Sequence, residues 1–149
     1  MSKDERKMPK KMGPGGSGKN AGSGEKAKDF VQYKGFVPSE KSVDIIKDYY
    51  LLLFPTKFET EGIPGTIIDA YASGVPVLAA KWKSYSDVVA DHKTGFGYEQ
   101  NNKSDLLRVL RFLANHPEVV IGIKENCVRK AIEFTPEVAL KTLTDKLSI

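Results

Sequence analysis

One cysteine, Cys127, stands in the 149 residues, so no internal disulfide can form and no thiolate cluster can hold a metal. The two histidines, His92 and His116, lie far apart in loop-like sequence, which argues against a histidine metal centre and makes His92 a surface residue, not a base. No apolar run approaches the length of a membrane span, and the first residues lack the apolar stretch of a secretion signal. A reducing cytoplasm fits this thiol-poor composition. Surplus charge is missing where it would matter. The formal net charge is +4, but residues 1–29 carry eight Lys/Arg against four Asp/Glu, while residues 30–149 carry fifteen of each. The foldable part is neutral, which gives no reason to expect a nucleic-acid partner.

Residues 1–29 lack aromatic and branched aliphatic side chains altogether and are rich in Lys, Gly and Ser. Such a segment cannot bury enough surface to order itself and reads as a disordered tail. Within it, Gly13-Pro14-Gly15-Gly16-Ser17-Gly18-Lys19-Asn20 comes close to a phosphate-binding loop of nucleoside triphosphatases. That mechanism needs a buried strand before the loop, a helix after it and a hydroxyl for magnesium. The flanks Pro9–Met12 and Ala21–Gly24 supply neither element, and Asn20 replaces the hydroxyl.

What is present centres on Leu51–Ala80. Leu51-Leu52-Leu53-Phe54 is an unbroken apolar run, the pattern of a strand covered on both faces of a parallel sheet. Pro55 ends it, and the loop to Pro64 holds Lys57, Glu59, Glu61 and Gly62 beyond its carboxyl end, where open α/β sheets bind ligands. Gly65–Ser73 reads as a helix, with Pro64 at its start and Gly74 as its cap, and Val75–Ala79 as a second buried strand. A helix N-terminus offers unpaired amides and a positive dipole end to a phosphate. Gly62 and Gly65 permit close approach to the backbone. Glu61 before the helix and Asp69 one turn inside it suit hydroxyls at either end of a phosphate-containing ligand, which is the layout of a nucleotide sugar.

On either side the pattern continues. Phe30–Phe36 alternates as a strand would, ending at Gly35, and Ser39 is placed to cap a short amphipathic helix through about Tyr49. After Ala80, Lys81–Ser86 forms a further loop with Trp82 packing over the sheet edge, and Ser84 or Ser86 caps a helix holding Val88 and Val89. Phe96–Glu99 is the last strand. Two or three helices follow, with Leu106, Leu107, Leu110 and Leu113 at helical spacing, breaks at Pro117 and Pro136, and Cys127 as a small buried hydrophobe. The alternation predicts an α/β fold, a Rossmann-like parallel sheet of about four strands with flanking helices over residues 30–149.

Glu61-Gly62-Ile63-Pro64-Gly65-Thr66-Ile67-Ile68-Asp69-Ala70, followed by Ala72-Ser73-Gly74-Val75-Pro76-Val77, resembles the E-x7-E signature of retaining glycosyltransferases of the GT-B fold, family 4. The likeness takes in Gly35-Phe36-Val37-Pro38 and Thr94–Tyr98. It spans about residues 30–149, the larger part of a C-terminal donor-binding domain, and is nearest to bacterial capsule and cell-surface polysaccharide enzymes. The resemblance implies a transferase moving a hexose from a nucleotide-diphosphate sugar to a saccharide or lipid-linked saccharide acceptor. No cofactor or metal is implied. Glu61 would be the catalytic residue and hold the donor hexose. Gly62, Ile63, Pro64, Gly65 and Thr66 would take the hexose and distal phosphate, and Asp69 the ribose. Lys57 is the one basic side chain beside the motif, and Gly35, Phe36 and Val37 would line the base. Asp69 departs from the family, which usually has Glu there, by one methylene.

In a doubly wound sheet of strand order 3-2-1-4-5-6, Phe30–Phe36 would be the third strand and Leu51–Phe54 the fourth. The first two, and the basic residues that hold the diphosphate, have no counterpart in residues 1–29. The chain therefore reads as truncated at its start and lacking an N-terminal acceptor domain. It would be inactive alone, and at work on the inner membrane face only as part of the full enzyme. A non-catalytic remnant that binds at most a nucleotide stands as the alternative. With the intervening strands gone, Phe30–Phe36 is expected to close the bare edge of Leu51–Phe54 by pairing with it.

Overall fold

A computed structural model describes residues 30–147. The tail and its Gly13–Asn20 loop lie outside the described residues. The chain divides into two units, Met1–Gly35 and Phe36–Ile149. In the first, Phe30, Val31 and Tyr33 are highly exposed and form no strand. The second unit carries the α/β fold, and its elements begin with a 3-10 turn, Ser39–Lys41.

Helix α1 follows at Ser42–Ile46, then β1 at Leu52–Phe54, α2 at Gly65–Ala72, β2 at Val77–Ala80, α3 at Tyr85–Val88 and β3 at Gly95–Tyr98. Five more helices complete the described chain: α4 (Lys103–Asn115), α5 (Pro117–Ile121), α6 (Lys124–Ile132), α7 (Pro136–Ala139) and α8 (Lys141–Leu147). The sheet is parallel, in the order β1-β2-β3, with Leu53 opposite Leu78 and Leu78 opposite Phe96. Each strand feeds a helix or turn that returns the chain to the same end of the sheet, as parallel pairing requires.

Strand β2 is the centre. Its four residues have no exposed surface, and they alternate between two cores. Val77 and Ala79 face Ile67, Ala70 and Tyr71 of α2, Val88 and Val89 from α3, and Cys127 of α6. Leu78 and Ala80 face Phe96, Tyr98, Val109, Leu113, Val120 and Ile123. Two layers of helices on one sheet follow from that alternation. Strand β3 divides its faces differently. Phe96 and Tyr98 fill the second core, while Gly95 and Gly97 leave the other face bare. A Cβ on Gly95 would lie 2.5 Å from the Val77 carbonyl oxygen, and one on Gly97 would lie 2.6 Å from the Tyr85 hydroxyl. The glycines let the α3 segment lie directly on the strand.

Several expectations are corrected. Three strands form among the described residues, not four; β1 pairs with β2 alone, so Phe30–Phe36 does not close its edge. Phe36 itself is 89% exposed. Strand β1 is not covered on both faces, because Leu52 and Phe54 reach the first core and Leu53 remains exposed. The expected Ser39–Tyr49 helix stops at Ile46, and the Ser39 hydroxyl turns to the neighbouring Glu40 carboxylate at 3.5 Å in place of capping. Ser84 stands at the start of α3 without a side-chain cap. In α4, Val109 is buried and Leu107 is not, so the buried stripe is rotated from the one expected. Helix α2, Gly74 at φ +68° and the buried Cys127 agree with the sequence reading.

A polar thread crosses the first core. The Tyr71 hydroxyl donates to the Val88 carbonyl at 3.1 Å and accepts from the Thr94 hydroxyl at 3.1 Å, and the Thr94 oxygen accepts from the Ala90 amide. Burial pushes Tyr71 up to about 12 and the Cys127 thiol up to about 11. In the unfolded chain these groups titrate near 10.0 and 9.0. Between those values the native state keeps protons that the unfolded state has lost, so rising pH favours unfolding. Urea midpoints are therefore expected to hold steady to about pH 9 and fall from there toward pH 12. Cys127→Ala should flatten the first part of that fall, and an undiminished fall in this variant would remove the thiol from the account.

Candidate functional site

The carboxyl end of β1 opens onto Pro55, and no regular element forms until Gly65. In that interval the chain makes its own contacts. The Thr56 hydroxyl donates to Glu61 Oε2 at 3.3 Å and accepts from the Phe58 amide at 3.1 Å. The Glu59 carbonyl accepts from the Lys83 amide at 3.3 Å, which ties the loop to the segment after β2. Gln100 Nε2 donates to the Thr56 carbonyl at 3.3 Å from beyond β3. A cavity of about 480 Å³ results, lined by Phe54, Pro55, Thr56, Lys57, Phe58 and Glu61.

Helix α2 begins without a side-chain cap. Pro64, buried and at φ −69°, has no amide hydrogen, and its carbonyl accepts from Ile67 and Ile68 at 3.0 and 3.4 Å. The amides of Gly65 and Thr66 have no acceptor among the described residues. Both residues are exposed, so these two donors and the dipole end face solvent. A Cβ built on Gly62 or Gly65 would meet nothing within 4 Å, and neither glycine has a positive φ. Packing within this chain does not demand glycine at either position. The space in front of them is open to a guest.

The structure thus brings Lys57 and Glu61 to one cavity, with Gly62, Ile63, Gly65 and Thr66 exposed directly after it. Asp69 sits one turn inside α2, half-buried, and its carboxylate makes no hydrogen bond among the described residues. Phe36 and Val37 do not line the cavity, and Gly35, at φ +74°, belongs to the other unit. Trp82 packs in the core edge-on to Phe54 and Tyr85, at 5.9 and 5.6 Å between ring centres. His92 is exposed in a turn at φ +59°. Sequence reasoning missed Thr56, which holds the Glu61 carboxylate, and Gln100, which holds Thr56. Neither lies at a periodic spacing from its partner. Among the described residues no three His, Cys, Asp or Glu side chains stand close enough to share a metal ion.

The family described as "Glycosyl transferases group 1" matches residues 22–133. The chain belongs to the group 1 glycosyl transferases. An "Uncharacterized glycosyltransferase" of Haemophilus influenzae is 29% identical over 117 residues, which cover 76% of this chain and 32% of that protein. A D-inositol 3-phosphate glycosyltransferase of Streptomyces avermitilis is 30% identical over 117 residues, 78% of this chain and 25% of that one. The sucrose-phosphate synthase of Thermosynechococcus elongatus superposes with a TM-score of 0.68 at 18% identity, over 80% of this chain and 30% of that one. This last likeness shows the fold, an α/β domain of the GT-B kind. The group 1 chain described here spans a third or less of the length of these relatives. Among its described residues no helix is long and apolar enough to cross a membrane.

Because packing within the chain does not demand glycine at position 65, Gly65→Ala should separate a demand of the fold from a demand of a ligand. Its denaturation midpoint should match the parent within about 0.5 kcal/mol, as for other surface substitutions. Binding of any phosphate-bearing ligand at the start of α2, followed by calorimetry or chemical-shift titration, should weaken. A variant that loses stability and not binding would show that the open space is not where the ligand goes.

Proposed function

We propose that residues 57–69 form the donor site of a retaining, family 4-type glycosyltransferase, which moves a hexose from a nucleotide-diphosphate sugar to a cell-surface polysaccharide or glycolipid acceptor. The observation that carries this reading is the unfilled start of α2. Two unpaired amides and two unobstructed glycines follow a carboxylate oriented by Thr56. In this reading Glu61 is the catalytic-site carboxylate and accepts from hydroxyls of the donor hexose. The Gly62–Thr66 backbone takes the hexose and the distal phosphate, and Asp69 reaches the ribose hydroxyls. Lys57 adds a positive charge beside the departing diphosphate. Stabilising that leaving group is the main electrostatic task of such a reaction, and fixed amides do it without reorganising.

Membership of the group 1 family supports the reading, as does the match of Glu61–Asp69 to the family's paired-acid spacing. The site as read uses amides, carboxylates and lysine, so chelators should leave donor binding unchanged. The acceptor would be held by a further domain of the whole enzyme, working at the cytoplasmic side of the membrane.

Two variants divide the roles. Glu61→Gln removes a charge-assisted acceptor worth about 1.5–3 kcal/mol where well aligned. It should weaken a nucleotide sugar while leaving the nucleoside diphosphate nearly unaffected. Asp69→Asn should weaken both ligands. Ligand-observed NMR over a panel of nucleotide sugars reads the difference, and equal affinity of parent and Glu61→Gln for every sugar nucleotide that binds would overturn the role of Glu61.

A further inference from the structure

A second cleft of about 300 Å³, which shares Pro55, Thr56 and Lys57 with the first cavity, lies at the carboxyl ends of β1 and β3. Two lysines from separate elements border it: Lys57 after β1 and Lys103 at the start of α4. Neither makes a hydrogen bond or ion pair among the described residues. The nearby carboxylates are engaged elsewhere. Glu99 pairs with Lys81 at 3.2 Å, and Asp105 accepts from the Glu99 amide at 2.7 Å and pairs with Arg108 at 2.7 Å. The two cations therefore share a cleft with no carboxylate in its lining.

The rest of the lining is suited to a sugar ring. Tyr98 is 5% exposed, yet its hydroxyl makes no hydrogen bond among the described residues. It is not among the side-chain atoms fully shielded from solvent without a partner, a set that holds only Trp82 Nε1, so the cleft it lines gives it an outlet. Burial raises the Tyr98 phenol above its ordinary value, so it remains a donor at neutral pH. Asn101 offers an amide from a backbone at φ +62°, a left-handed conformation that stores strain and recurs at ligand sites. Leu106 supplies an apolar face. Ligand pockets run from roughly 300 Å³ upward, so this one has room for a single sugar unit.

We propose that this cleft is a second ligand subsite, taking a sugar that carries an anionic substituent, a carboxylate or a phosphate, between Lys57 and Lys103. Binding of the anionic sugar does not rest on the donor-site reading above, in which the acceptor is held by a further domain.

The test is a chemical-shift titration of the full chain with D-glucuronate, glucose 6-phosphate, D-glucose and inorganic phosphate. Glucuronate or glucose 6-phosphate is expected to move the Tyr98, Asn101 and Lys103 amides, with glucose much weaker, and whichever anion binds more tightly identifies the substituent. Lys103→Gln should weaken that binding about two- to five-fold, as for one partly exposed charge pair. Added salt should weaken the parent in the same sense. A nucleoside diphosphate titrated separately reports on Gly62–Thr66, so failure of the donor reading shows in a different set of resonances. Equal shifts from glucose and glucuronate, shifts from phosphate alone as strong as from its sugar, or no shifts at Tyr98 and Asn101 would each overturn the proposal.

Discussion

Strand β2 has two solvent-free faces, and β1, β3 and helices α2 to α6 take their places from one or the other. A four-residue strand cannot hold itself together. Val77 and Ala79 need the α2, α3 and α6 side chains to exclude water, and Leu78 and Ala80 need those of α4 and α5. The consequence is positional. Helix α2 must lie flat against the first face, so its start is fixed at the same end of the sheet as the carboxyl ends of the strands. Its first two amides are then left facing solvent by the same packing that anchors its middle at Ile67, Ala70 and Tyr71.

The loop between β1 and α2 is held differently. It contributes little to either core, and its shape depends on a few hydrogen bonds from outside its own sequence neighbourhood: Gln100 to the Thr56 carbonyl and the Lys83 amide to the Glu59 carbonyl. Loops carried on a rigid scaffold are where binding residues concentrate, because ligand chemistry needs polar groups that a core would not tolerate. Here the scaffold supplies rigidity and the loop supplies Lys57 and Glu61.

Much of this was legible in the chain itself. Gly74, Pro76 and the Val/Leu/Ala run after them announce a helix cap and a buried strand, and the structure places α2 and β2 there. The paired acids bracketing Gly62 and Gly65 are the pattern on which the proposed donor site rests. Other features carried no local signal. An apolar run such as Leu51–Phe54 does not say whether its strand is central or at an edge, and Leu53 is exposed because β1 is an edge among the described residues. Alternation over Phe30–Phe36 suits a strand only if a neighbouring edge receives it, and none does. Leu107 and Val109, two residues apart, lie on nearly opposite sides of one helix, and a count of leucines does not say which of them faces the sheet. The grip of Thr56 on Glu61 crosses an irregular loop with no period to read.

Thr56 lines both cavities. Its hydroxyl holds the carboxylate of one, and its carbonyl is held by Gln100, next to Asn101 in the wall of the other. A single residue thus contacts groups in both walls. If a guest in one cavity shifts Thr56 and so changes affinity in the other, linkage requires the second guest to change affinity in the first by the same factor. The sign of such a coupling is set by whether the two guests favour one placement of Thr56 or compete for it.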